Sequence, residues 1–147
     1  MYLLDTNHLS SILKKDECAY KKLHSSNLNY CSCVIVKGEM MFMANNSQFK
    51  ENNLKNINAL LSELNILDIG KQTAKIYGEI KALLCDKFGP KEKSKRRNFN
   101  FNSTGISDND LWIASIAKEH DLTILTTDAD FEKIKEVTTI RLDSWFN

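Results

Sequence analysis

The stretch MYLLDTN, residues 1–7, sets Tyr2, Leu3 and Leu4 directly before an aspartate, a threonine and an asparagine. It reads as a short buried strand ending at Asp5, because Thr6 and Asn7 are good helix-capping types. The following NHLSSILKKDECAYKKLHSS (7–26) is helical, in two pieces. Further along, YCSCVIV (30–36) predicts a second strand and KGEMMFMANN (37–46) a helix. ENNLKNINALLSELN (51–65) repeats apolar residues at Leu54, Ile57, Leu60, Leu61 and Leu64, which is the helical period, and ILDI (66–69) follows as a brief strand. KQTAKIYGEIKALLCDKF (71–88) predicts another helix, stopped by Gly89-Pro90, the chain's one proline. Residues 90–105 are polar, basic and without period, so they read as a loop. A helix from near Ser107, a strand in LTILTT (122–127), a short helix over 131–134 and a final strand in TTIRL (138–142) complete the chain. Strands separated by helices predict an α/β fold with parallel β-α units and helices on both sheet faces.

At 147 residues the chain has the length of one domain, long enough to bury a core without disulfides or a structural metal, so a single domain over 1–147 is expected. Hydrophobic content of 42% and charged content of 27% argue against a disordered or fibrous class. No apolar run approaches the ~20 residues that span a bilayer. Asp5, Thr6 and Asn7 are polar where a signal peptide would be apolar, so a cytoplasmic location and no membrane association are expected. Cys18, Cys31, Cys33 and Cys85 form no C-x-x-C pair and read as reduced packing residues. The three histidines, His8, His24 and His120, are isolated and are expected in surface or cap roles.

The acids carry the chemistry. In sheets of this kind ligands gather at the carboxyl ends of the strands, which is where Asp5 and Asp128 fall. Val36, Glu39, Met40 and Met43 stand at i, i+3, i+4 and i+7, so Glu39 lies on the apolar stripe of its helix, where a charge is costly unless compensated. Asp110 shares a stripe with Ile113, Ala114 and Ala117 and also suits a capping box begun by Ser107. Asp108 is rotated away by roughly 200° on an ideal helix, which assigns it to a cap or outer position. Asp5, Glu39, Asp110 and Asp128 thus come from four segments and aim at one sheet end. Such carboxylates repel one another until a divalent cation neutralises them, and oxygen donors select Mg²⁺ or Mn²⁺. A cation there would suit phosphodiester hydrolysis. There is no G-x-x-x-x-G-K-[ST], H-E-x-x-H or G-x-S-x-G motif to compete.

These residues resemble the PIN-domain family, and within it the VapC-like ribonuclease toxins. LLDTN is similar to that family's opening strand and first acid, VIVKGE to the segment of its second, NDLWIASIA to that of its third and LTILTTDADF to the strand and turn of its fourth. The resemblance covers the chain in order. It implies a three-layer α/β/α sandwich around a mainly parallel sheet and a Mg²⁺- or Mn²⁺-dependent endoribonuclease acting on RNA. Its metal-site acids are Asp5, Glu39, Asp110 and Asp128, supported by Asn7 and Thr126, with Asp108 and Asp130 nearby. A cognate antitoxin and a homodimer are implied by kinship. The long segment 88–105 and the Asp108/Asp110 pair depart from the family pattern, leaving substrate choice and a part for Asp108 open.

Between Asp86 and Arg97 six basic residues face two acidic ones, a local excess of +4 in a chain of formal charge +1, so the rest is net acidic. Lys91, Lys93, Lys95, Arg96 and Arg97, with Phe99 and Phe101, read either as an arm that guides RNA or as a solvated loop. Two other functions stay open: a catalytically idle RNA-binding or interaction domain on this fold, and a nuclease directed at DNA.

Overall fold

The computed structural model describes residues 1–25 and 28–146. Five short strands, β1 (Tyr2–Leu4), β2 (Tyr30–Cys33), β3 (Asn65–Leu67), β4 (Thr123–Leu125) and β5 (Arg141–Asp143), form one sheet in the order β3-β2-β1-β4-β5. Every pairing is parallel. Between them lie α1 (Thr6–Leu13), α2 (Glu17–Ser25), α3 (Val34–Asn45), α4 (Lys50–Ser62), α5 (Lys71–Phe88), α6 (Lys93–Arg96), α7 (Asp108–Glu119) and α8 (Asp130–Lys135). Helices α1 to α4 pack among themselves, α7 packs on both α5 and α8, and α3 meets α7. The result is the expected three-layer α/β/α sandwich.

Parallel strands are covered on both faces, so their residues are buried regardless of parity. Leu3, Leu4, Cys31, Ser32, Cys33, Ile124 and Leu125 all lie inside. Ser32 is tolerated there because its hydroxyl donates to the Leu4 carbonyl at 3.0 Å. Helix α7 contributes Leu111, Ile113, Ala114, Ser115, Ile116 and Ala117 to the core. All four cysteines are free thiols.

Three sequence expectations are corrected. The second strand stops at Cys33, and Val34 to Val36, β-branched and strand-like in isolation, form the first turn of α3. Tertiary packing overrides local propensity there. The segment 90–105 is not wholly a loop: it holds α6 and a 3-10 turn at Phe101–Thr104. It is also tied down, since Arg96 donates to the Pro90 carbonyl at 2.9 Å and pairs with Asp86, while Lys133 Nζ reaches the Thr104 carbonyl at 2.5 Å. Gly105 ends it at φ +88°, and a Cβ there would meet Asp130 Oδ1 at 2.6 Å, so only glycine suits the position. Third, His8 is a core residue: its Nε2 accepts from the Trp145 N–H at 3.2 Å and its ring packs on Trp145 and Phe146. Ser26, the last residue of the first helical expectation, lies outside the described residues.

Candidate active site

The sheet order reverses direction at β1 and β4, the place where strand topology leaves a crevice outside the carboxyl ends. The two strands stay paired up to that edge, with Asp5 N–H donating to the Leu125 carbonyl at 3.1 Å. Asp5 follows β1 and Asp128 sits in the turn after β4, so both are delivered by backbone topology. Glu39, on the second turn of α3, and Asp110, on the first turn of α7, come from the two helices that meet beside this edge. Thr6, Asn7, Glu39, Asn109, Asp110 and Asp128 line one open cavity of about 680 Å³, with Ile35 and Phe42 at its apolar side.

Asp5 is buried beside that lining, only 5% exposed. Its Oδ1 caps α1 by accepting from the Thr6 N–H at 2.6 Å, and its Oδ2 accepts from the Thr126 hydroxyl at 2.8 Å. Burial drives its pKa up to about 6, the two hydrogen bonds oppose the rise, and the Glu39 and Asp110 charges add to it. Asp110 is also raised, first by burial and then by Asp128 and Glu39, against two hydrogen bonds from Ser107. Ser107 donates to Asp110 Oδ2 from its N–H at 2.8 Å and from its hydroxyl at 2.7 Å, so the expected capping box is formed. Asp128 Oδ1 accepts from the Asp130 N–H at 2.9 Å, and the Asp128 N–H donates to Thr126 Oγ1 at 3.0 Å. Thr126 therefore braces two acids at once. Asn7 is exposed and lines the cavity.

Each of the four acids is held by neutral donors, and none of the ion pairs among the described residues includes one of them. Their all-oxygen donor set suits a hard divalent ion, and the neighbouring carboxylate charges add to the burial that raises the pKa of Asp5 and Asp110. The sequence expectation of carboxylates drawn to one point is not met as such. Among the described residues no three His, Cys, Asp or Glu side chains converge closely enough to hold a metal ion; Glu39, Asp110 and Asp128 line a shared cavity with Asp5 buried beside it instead of forming a closed cage. Like charges repel, and each carboxylate is held by its own donors: Asp5 by Thr6 and Thr126, Glu39 by Thr6 and Asn109, Asp110 by Ser107 and Asp128 by the Asp130 N–H.

The flanking acids Asp108 and Asp130 are turned elsewhere. Asp108 Oδ1 accepts from Lys81 Nζ and from the Tyr77 hydroxyl, each at 2.6 Å, and these bonds, the Lys81 one foremost, hold its pKa below the usual carboxylate range. Asp130 Oδ1 accepts from Lys133 Nζ at 2.5 Å. Neither lines the cavity. Of the basic segment, Arg96 is engaged with Asp86 and Lys95 with Glu92 at 2.9 Å, whereas Lys91, Lys93 and Arg97 are exposed and in none of the ion pairs among the described residues. Sequence reading passed over Thr6 and Asn109 as site residues. Their only signal is adjacency to Asp5 and Asp110.

The chain belongs to the PIN domain family, whose model matches residues 2–137. Ribonuclease VapC2 of Haemophilus influenzae is 27% identical over 145 residues, covering 98% of this chain and 97% of that protein. Ribonuclease VapC2 of Rickettsia felis is 26% identical over 148 residues, covering 99% and 98%. Among solved structures, VapBC2 from Rickettsia felis bound to a DNA fragment from its promoter superposes with a TM-score of 0.75 at 25% identity, covering 98% of both chains. DNA-bound VapBC from Salmonella typhimurium gives a TM-score of 0.78 at 25% identity, covering 98% and 97%. The resemblance drawn from four short motifs is thus matched along the whole chain. Among the described residues no helix is long and apolar enough to cross a membrane.

Proposed function

We propose that this protein is a Mg²⁺- or Mn²⁺-dependent endoribonuclease, the toxin of a toxin–antitoxin pair. The observation that carries the reading is the set of four carboxylates around the β1/β4 crevice, none of them in an ion pair with a lysine or arginine among the described residues. Relatives named ribonuclease, and VapBC structures that align over nearly the full chain, support the same conclusion.

In this reading Asp5, Glu39, Asp110 and Asp128 hold the cation. When bound, Mg²⁺ or Mn²⁺ supplies Lewis-acid polarisation of a phosphoryl oxygen and lowers the pKa of a coordinated water. The chain's own residues set up the chemistry around it. Asp5 and Asp110, raised by burial and further by neighbouring carboxylates, Glu39 among them in each case, are poised to give up negative charge density to a cation. Thr126 and Ser107 fix their orientation, and Asn7 is available at the cavity wall for substrate. The exposed Lys91, Lys93 and Arg97 offset the repulsion that an acidic centre exerts on a polyanion, with Lys95 and Arg96 held in local pairs beside them. Phe42, 68% exposed, and Met43 stand on the cavity lining and offer apolar surface for a cognate antitoxin, and a homodimer is the expected assembly.

Labelled RNA incubated with Mg²⁺ or Mn²⁺ should be cut internally, and chelator should stop the reaction. Cleavage that survives chelation, or persists at full rate in both Asp5→Asn and Asp110→Asn, would reject the assignment. DNA of the same sequence, run in parallel, separates an RNA-directed enzyme from a DNA-directed one. RNA retention without products at any Mn²⁺ concentration would instead identify an idle binding domain.

A further inference from the structure

Glu39 differs from the other three acids in how it is held. It stands on α3 with three rotatable side-chain bonds, facing Asp5 and Asp110, whose charges push it away. Yet its two oxygens are each taken by a different helix: Oε2 accepts from the Thr6 hydroxyl of α1, and Oε1 accepts from Asn109 Nδ2 of α7 at 2.7 Å. Thr6 also gives its backbone N–H to Asp5 at 2.6 Å, and Asn109 immediately precedes Asp110. The segments that deliver the first and third acids therefore also grip the second. One hydrogen bond per oxygen leaves an acceptor lobe on each for a further ligand, so the grip orients the carboxylate without consuming it.

We propose that Thr6 and Asn109 are positioning residues, a two-donor clamp that fixes the Glu39 carboxylate toward the cation this cavity takes. The proposal rests on the metal-dependent reading above. Donors behind a ligating group set its orientation, and their loss typically weakens metal affinity about 10- to 100-fold. Both sites tolerate the needed changes. Asn109 is exposed, and Thr6→Val keeps the shape and the backbone N–H that caps Asp5 while deleting the hydroxyl.

The test is Mn²⁺ titration of the full chain followed by electron paramagnetic resonance, with melting temperature and RNA-cleavage kinetics measured on the same preparations. Asn109→Ala and Thr6→Val should each weaken Mn²⁺ binding by about tenfold with unchanged melting temperature, and Thr6→Ser should restore affinity to within about threefold. The concentration of Mn²⁺ for half-maximal cleavage should rise in step while KM for RNA holds. Equal Mn²⁺ affinity in wild type, Asn109→Ala and Thr6→Val overturns the clamp and leaves the nuclease reading standing. Wild type that binds Mn²⁺ but cuts no RNA overturns the nuclease reading, with the clamp then judged on affinity alone. Wild type that binds no Mn²⁺ overturns both.

Discussion

Two segments of this protein carry the same short pattern, an aspartate, one intervening residue and another aspartate: Asp108-Asn109-Asp110 at the start of α7 and Asp128-Ala129-Asp130 at the start of α8. In each, one acid lines the cavity and the other is turned to a lysine. Asp110 has its pKa raised, by burial foremost, while Asp108, two residues away, has its own lowered by Lys81 and Tyr77. Asp128 faces the cavity, and Asp130 pairs with Lys133. The difference is made by residues far off in sequence: Lys81 lies a helix away on α5, and Tyr77 one turn before it. Acids left to neutral donors keep an unbalanced charge that a cation can answer. Those given a lysine are already balanced and serve to fasten the structure.

The sharpest way to break this comparison is to neutralise each member in turn. Asp110→Asn and Asp128→Asn should lower RNA cleavage by more than about 100-fold in single-turnover assays, because a lost ligand costs at least what a lost supporting donor does. Asp108→Asn should stay within about threefold of wild type. Comparable losses at Asp108 and Asp110 would mean that the lysine pairing does not set Asp108 apart.

A smaller effect concerns acid stability, measured as urea midpoints between pH 7 and 4. His8 is buried and its pKa falls from 6.5 to about 4, chiefly through burial. Its folded pKa is depressed, so its contribution is full above pH 6.5 and is lost as pH falls through about 4. Asp5 runs the other way: its pKa is raised from 3.8 to about 6, so the folded state gains stability as pH drops from 6 toward 3.8. The two nearly offset in wild type. Asp5→Asn should unmask the His8 loss, on the order of 2 kcal/mol between pH 6.5 and 4. An Asp5→Asn curve that stays flat over that range would remove His8 as its cause.

Asp130→Asn should cost no more than about 1 kcal/mol by thermal melting, since the Lys133 pair is partly exposed. It should also loosen the end of the basic segment that Lys133 fastens through the Thr104 carbonyl, raising amide exchange at 103–106. Smallest of all is Lys81→Met, with cleavage expected within about threefold of wild type. Its signature is a rise of the Asp108 pKa, read by carboxyl NMR, as the largest source of its depression is removed.

Much of the molecule could be read from residue order. Alternating strands and helices announced a parallel sheet, and the carboxyl-end rule pointed to Asp5 and Asp128 before any coordinate. Helical spacing placed Glu39 and Asp110 among apolar neighbours, because burial leaves a periodic trace in sequence that charge then visibly interrupts. Less was legible where the cause is non-local. Val34 to Val36 have strand propensity and became helix because Cys33 closes the β2 pairing with β3. His8 looked like a surface residue, since nothing nearby in the chain announces that Trp145 and Phe146 return to cover it.

Residue types and their spacing were enough to specify an α/β fold, since local periodicity and the handedness of parallel connections set it, and they named four acids as candidates for one sheet edge. Which acids remain unpaired, and which donors grip Glu39, depended on contacts between α1, α3, α5, α7 and α8. Charge balance is set by distance in space, and a lysine 27 positions from its aspartate leaves no mark on the local pattern of either.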